Sequence, residues 1–298
     1  MSSKVIISDI CEYYDLNERL LLQLGLWPYQ EKFDKFLRTF IVNVSLLVAF
    51  LVEFYRFYIS DFDIKSIEEF QIFITLLSGS YCYYNAIFQF ELMKKLLDHI
   101  IFDYNHISNK QEIIIMRKYA KENKQFVVMI LLSFYLYIII LTFPSASHVV
   151  LYITGVTNDT QLTLPIAIDT ILFDKRFFYL IFFIQLFILW IVTTVAIVNF
   201  TTFLLLLSHA CALLSIVIFK IDQPLKKNSH ELSCKWSSIA TCDAYNWIKD
   251  IVTHHVNVTE FIELLNDLCE NIYLIEMIFS MLCIIIDCIC VSKILETY

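Results

Sequence analysis

Only three glycines and four prolines interrupt this chain of 298 residues, and charged residues make up 17% of it. A soluble domain of this size carries about 25% charged residues. Breakers this scarce, set among so many Leu, Ile, Phe and Val residues, disfavour the closely spaced turns of a sandwich or barrel. The start, from Met1 to Arg38, is polar and mixed in charge. It has no apolar core and no small-residue cleavage site, so a removable signal peptide is not expected. No Gly-rich phosphate loop, nucleophile elbow or paired carboxylate motif occurs, so no enzyme is expected.

What is present is apolar: 58% of the residues are hydrophobic. A bilayer core takes about 20 apolar residues per helical span, and five stretches qualify. They run from Phe40 to Ile59, Phe70 to Phe90, Phe126 to Leu151, Phe177 to Phe219 and Ile272 to Val291. The expected fold is an all-α, multi-pass transmembrane helical bundle with five spans and a cytosolic amino terminus. Its organisation reads as a cytosolic segment over residues 1–39, then spans one to four with their loops over 40–219. A cytosolic loop and amphipathic helix follow over 220–271, and span five with the chain end over 272–298.

The fourth stretch is about 64 Å long as a helix at ~1.5 Å per residue, twice a bilayer. It is either a hairpin or one helix projecting from the membrane. No Gly, Pro, Asp, Glu, Lys or Arg marks a turn, and its polar residues (Thr193, Thr194, Asn199, Thr201, Thr202, Ser208, His209) gather in the second half. A single long helix is expected.

Cationic side chains orient the spans. Lys4, Arg19, Lys32, Lys35 and Arg38 precede span one. Lys94, Lys95, Lys110, Arg117, Lys118, Lys121 and Lys124 follow span two, and Lys220, Lys226, Lys227, Lys235 and Lys249 follow span four. The two remaining loops are poor in Lys and Arg and rich in Asp and Glu. This pattern puts the amino terminus in the cytosol and gives an odd number of spans. Asn158-Asp159-Thr160 is then a glycosylation sequon in an external loop; the sequons at Asn43, Asn199 and Asn257 lie in lipid or cytosol. None of the nine cysteines falls in either external loop, so reduced thiols are expected. A G-protein-coupled receptor, with its external amino terminus and stapled loop, does not fit. His230, Cys234, Cys242, His254 and His255 share one loop, but their spacing matches no common zinc pattern, and neither metal nor cofactor is expected.

Several polar residues admit two readings. Asp287, deep in the fifth stretch, faces a pore or a subunit contact, or else the segment is displaced, with Asp287 nearer the exterior and Glu276 at the inner side. Glu53 and Arg56 sit one turn apart at the end of span one, placed to pair. Between Asp243 and Asn271, Ile248, Ile251, Val252, Phe261, Leu264, Leu265 and Leu268 recur at helical spacing, which predicts a helix running into span five.

The string Gly25-Leu26-Trp27-Pro28 reads locally as an interfacial segment, and it also resembles the amino-terminal signature of insect odorant receptors. So do Leu164-Pro165 with Phe173-Asp174, Phe177-Phe178-Tyr179 and Gln185; His209 with Cys211; and Asp250 through His254-His255, Val258, Phe261 and Leu265. The resemblance covers the chain from about residue 20 onward. It implies an odorant receptor subunit in the plasma membrane of an olfactory neuron dendrite. Such a subunit binds a small volatile odorant and pairs with the obligate co-receptor in a ligand-gated, non-selective cation channel. Membrane lipid is its surroundings, and nucleic acid is not an expected partner. Ligand contacts implied by the family lie in the outer halves of spans two to four: Ser78, Tyr81, Tyr137, Ser145, Phe178, Phe182 and Gln185. Family members run longer and carry seven spans, the last lining the pore. Five spans are found here, which leaves a truncated or incomplete receptor as an alternative. The sister gustatory receptors and a small multi-pass carrier are others, though a carrier's internal repeats and broken helices are not seen.

Glycosylation mapping checks the orientation. Asn158 is expected to carry a glycan and an acceptor engineered beside Lys110 is not; the reverse pattern would invert the topology.

Overall fold

The computed structural model describes residues 3–59, 64–107, 109–154, 178–228 and 238–297. Among them are seven helices and no strand: α1 (Ser3–Leu24), α2 (Lys32–Ile59), α3 (Ile64–Phe88), α4 (Phe90–His106), α5 (Lys110–Ile153), α6 (Phe178–Asn228) and α7 (Ser238–Thr297). Four segments are long and apolar enough to cross a membrane: Lys32–Arg56, Lys110–Ile153, Phe178–Gln223 and Ile272–Ile289. The chain is therefore all-α with the helices of a membrane protein. α3 covers the second apolar stretch and is not one of the four. Ser78, Ser80, Asn85 and the tyrosines at 81, 83 and 84 dilute it.

The fourth stretch is one unbroken helix, α6, and the amphipathic segment runs without a break into the fifth stretch as α7. The apolar windows differ in burial: half of the α6 window is covered by protein, against 11% in α5 and in the last stretch. α6 therefore serves as a core helix. Leu132, Ile139, Ile140 and Phe143 of α5 stand exposed, which costs nothing where the solvent is as apolar as they are.

Hydroxyl and amide side chains in these helices turn back on their own backbones. Asn43 donates to the Thr39 carbonyl at 2.7 Å, Ser45 to Ile41 at 2.8 Å, Thr142 to Ile138 at 2.8 Å and Thr194 to Trp190 at 2.7 Å. A polar group so satisfied crosses an apolar medium at small cost. The expected Glu53–Arg56 pair is formed, with bonds of 2.9 and 3.0 Å to the two carboxylate oxygens.

The chain divides into two compact units. Unit 1 comprises residues 1–18, 89–127 and 201–271; unit 2 comprises 19–88, 128–200 and 272–298. In unit 1, Met93, Leu96, Leu97, Ile100 and Asp103 make one buried stripe along α4, at the three- and four-residue spacing of a core-facing helix. The fifth member of that stripe is a carboxylate.

In unit 2 the Gly-Leu-Trp-Pro string closes α1. The Leu26 amide donates to the Leu21 carbonyl at 2.9 Å and the Gly25 amide to Leu22 at 3.2 Å. That pair of bonds is a Schellman cap, and Leu21 and Leu26 are both buried. Arg38 Nη1 also donates to the Leu22 carbonyl (3.0 Å), and the Tyr83 hydroxyl donates to Leu24 (3.2 Å). A helix end buried in protein thus leaves few carbonyls orphaned. Gly25 has φ +72°, and a Cβ there would meet Thr39 Oγ1 at 2.7 Å and the Lys35 carbonyl at 3.0 Å.

Gly25→Ala is accordingly expected to destabilise the protein by about 1–3 kcal/mol through the left-handed backbone alone, with the clash adding to it. A lowered thermal midpoint of the detergent-solubilised chain checks this; an unchanged midpoint would refute it.

Candidate functional site

Among the described residues a polar site stands out in each unit, and the two differ in kind. In unit 2 a cavity of about 660 Å³ lies among α3, α5, α6 and α7. Ser78 and Cys82 of α3 line it together with Phe134 of α5, Asn199 and Phe200 of α6, and Tyr273 and Glu276 of α7. The Phe134 and Phe200 rings lie 6.1 Å apart, tilted. Gly79 also borders the space, and a Cβ added there would meet nothing within 4 Å. A mostly apolar wall with a few convergent polar groups, at a volume within the ~300–1,000 Å³ of small-ligand sites, suits a small organic molecule.

Glu276 is the polar focus. Its Oε1 accepts from Asn199 Nδ2 at 2.6 Å and from the Cys82 thiol at 2.7 Å. Higher on the same helix, Asp287 Oδ1 accepts from Gln71 Nε2 of α3 at 2.7 Å, so the acid deep in the fifth stretch has a protein partner.

In unit 1 the carboxylate of Asp103 gathers three donors. His209 Nε2 lies 2.9 Å and His99 Nδ1 3.2 Å from Oδ2, while Asn257 Nδ2 lies 3.3 Å from Oδ1. Phe261 closes the cluster, its ring 5.0 Å from that of His209 and 5.4 Å from that of His99. Burial works to raise the Asp103 carboxyl, but the hydrogen bonds and charges of His209 and His99 outweigh it and bring its pKa down to about 2. The bond to Asp103 holds His99 above its ordinary value against the opposing effect of burial. Alongside, Tyr14 and Tyr104 share a 2.6 Å hydrogen bond; burial pushes the Tyr14 hydroxyl up to about 12.

The ligating atoms of His99, Asp103 and His209 lie within 4.8 Å of one another, a composition able to hold a metal ion. A metal-bound imidazole normally donates its second N–H to an acceptor, whereas the buried Nδ1 of His209 has no partner among the described residues. Both imidazoles instead spend a nitrogen on the carboxylate. The arrangement is a hydrogen-bond clamp that fastens α4 to α6 and α7.

The residues marked in the sequence scatter. Ser78 lines the unit 2 cavity, while Tyr81 on the next turn is half-buried outside its lining. Phe178 and Phe182 stack 6.4 Å apart and pack with Val149 of α5 in a small separate core. Ser145 and Gln185 are buried, and Tyr137 is 63% exposed. Asn158, Leu164-Pro165, Phe173-Asp174, Phe177, His230 and Cys234 lie outside the described residues. Two stretches that carried the family resemblance do meet, since His209 and Phe261 share the Asp103 cluster. Asp103 and His99 were not singled out in the sequence; their four-residue spacing on one helix face was the available signal. Asn199 reads there only as a silent sequon, and Glu276 only as an acid at the inner edge of span five.

No protein-family model matches the chain, and no curated protein matches it.

The pH dependence of the clamp follows from its two shifted groups. Asp103, depressed, contributes stability that is present above its ordinary value of 3.8 and lost as pH falls through about 2. His99, raised, contributes fully below 6.5 and loses that contribution as pH climbs through its higher folded value. The stability difference between wild type and Asp103→Asn is therefore expected to be greatest between about pH 4 and 6.5. There it should amount to about 1–3 kcal/mol for the donors left poorly paired. Thermal midpoints of both proteins across pH 3–8 check this, and a difference that does not vary with pH would count against it.

Proposed function

We propose that this chain is a ligand-binding receptor subunit of the insect odorant receptor type. It takes a small volatile molecule into the unit 2 cavity and, with the co-receptor, gates a non-selective cation channel in the plasma membrane of an olfactory dendrite. The observation that carries this reading is the cavity itself: an apolar, aromatic-walled space among helices fit for a membrane, large enough for a volatile molecule. The Gly-Leu-Trp-Pro cap and the association of His209 with Phe261 add support, since the residues of the resemblance take part in packing.

In this reading α2, α3, α5, α6 and α7 cross the bilayer and the amino terminus is cytosolic. α3 is the least apolar of these crossings, and charge argues for it. With α3 crossing, Lys94, Lys95 and the cations from Lys110 to Lys124 share the side of Arg19, Lys32, Lys35 and Arg38. With α3 withdrawn, one cationic group is forced outside. Ligand binding acts by differential affinity: the volatile binds the open arrangement more tightly and shifts the population toward it.

Co-expression with the co-receptor is expected to give volatile-evoked cation current. Gly79→Leu fills open space and replaces a residue unfavourable in a helix, so it should cut that current at least tenfold with surface expression unchanged. A current indifferent to Gly79→Leu would separate the cavity from the response, and no current with any volatile would overturn the receptor reading.

A further inference from the structure

Glu276 stands one turn inside the apolar stretch Ile272–Ile289. An acid within a membrane helix is expensive, and where one is present it faces a partner, water or a substrate. The partners of Glu276 are both neutral, Asn199 and Cys82, and both bond the same oxygen, Oε1. Among the described residues no Lys, Arg or His pairs with it, and Oε2 accepts no bond. Glu276 itself forms part of the cavity wall.

We infer that the unit 2 cavity selects small organic amines, bound as ammonium ions against the free side of the Glu276 carboxylate. The chemistry of the wall agrees. Phe134, Phe200 and Tyr273 border the same space, and a ring face within about 6 Å of a cation attracts it, more strongly where water is excluded. Asn199 and Cys82 spend their donors on Oε1 and orient the carboxylate, leaving its second oxygen for an N–H of the ligand. Ser78 and Thr75 offer hydroxyls at the α3 side, though Thr75 already donates to the Gln71 carbonyl at 2.9 Å. The rest of the wall is apolar and suits a hydrocarbon body. An amine therefore neutralises an acid that has no counter-charge among the described residues, and a neutral volatile of the same shape does not. This inference rests on the reading of the cavity as a ligand site and adds the chemical class.

The test uses the full chain in lipid nanodiscs with three volatiles of matched shape: cyclohexylamine, cyclohexanol and methylcyclohexane. Binding is read at pH 7 by thermal stabilisation across a concentration series. Cyclohexylamine is expected to bind about ten- to a hundredfold more tightly than cyclohexanol, the worth of one hydrogen bond to a charged group. Glu276→Gln should erase that preference, and its cooperative thermal unfolding without ligand reports that the variant is folded; Glu276→Asp should retain part of it. If amine and alcohol bind the wild type equally and Gly79→Leu weakens both, the amine inference fails and the ligand cavity stands. If Gly79→Leu alters no binding, or nothing binds, the cavity reading and the inference fail together.

Discussion

Asp287 and Glu276 sit on one helix, inside one apolar stretch, and each finds a hydrogen-bond donor on α3: Gln71 for the first, Cys82 for the second. Unit 2 depends on this matching. A carboxylate among apolar neighbours is costly unless donors meet it, and the helix that supplies them must carry polar side chains of its own. The features that make α3 the weakest candidate for a membrane crossing thus complement its neighbours. Tyr83 and Tyr84 play the same part toward α1 and α2, donating to the Leu24 carbonyl and to Asn43.

Unit 1 handles a buried acid differently. Asp103 is enclosed by three donors on three helices, with aromatic rings of Phe261 and Tyr104 packed about His209. Both oxygens of that carboxylate accept hydrogen bonds, so the cluster has no free oxygen to offer. Glu276 keeps one. The contrast in hydrogen-bond inventory goes with a contrast in burial, since Asp103 is buried and Glu276 is half-buried.

The helices were legible in the sequence because long apolar runs with so few Gly and Pro residues admit few alternatives. The unbroken α6 and the continuous α7 followed from the absence of a turn and from helical spacing. The Glu53–Arg56 pair followed from a separation of three residues. α4 was not read, because its stripe from Met93 to Asp103 is short and surrounded by lysines that signalled a loop. The cavity was legible only through Ser78. Its other polar members come from helices distant in the chain, and periodicity within one helix does not disclose which face meets which. Tyr137 and Phe182 illustrate the cost: both are aromatic and near the expected depth, yet one is exposed and the other is packed in a separate core.

The complementarity of α3 and α7 bears on how the chain is made. Helices enter the bilayer from the ribosome in order, each judged on its own hydropathy, and α3 emerges long before the acids it serves. α3 would be held at the interface or in the insertion machinery as a marginal segment until α7 emerges. Retention of the nascent chain, and its clearance when α7 is missing or altered, would then be set by Gln71, Cys82 and the tyrosines as much as by any ligand.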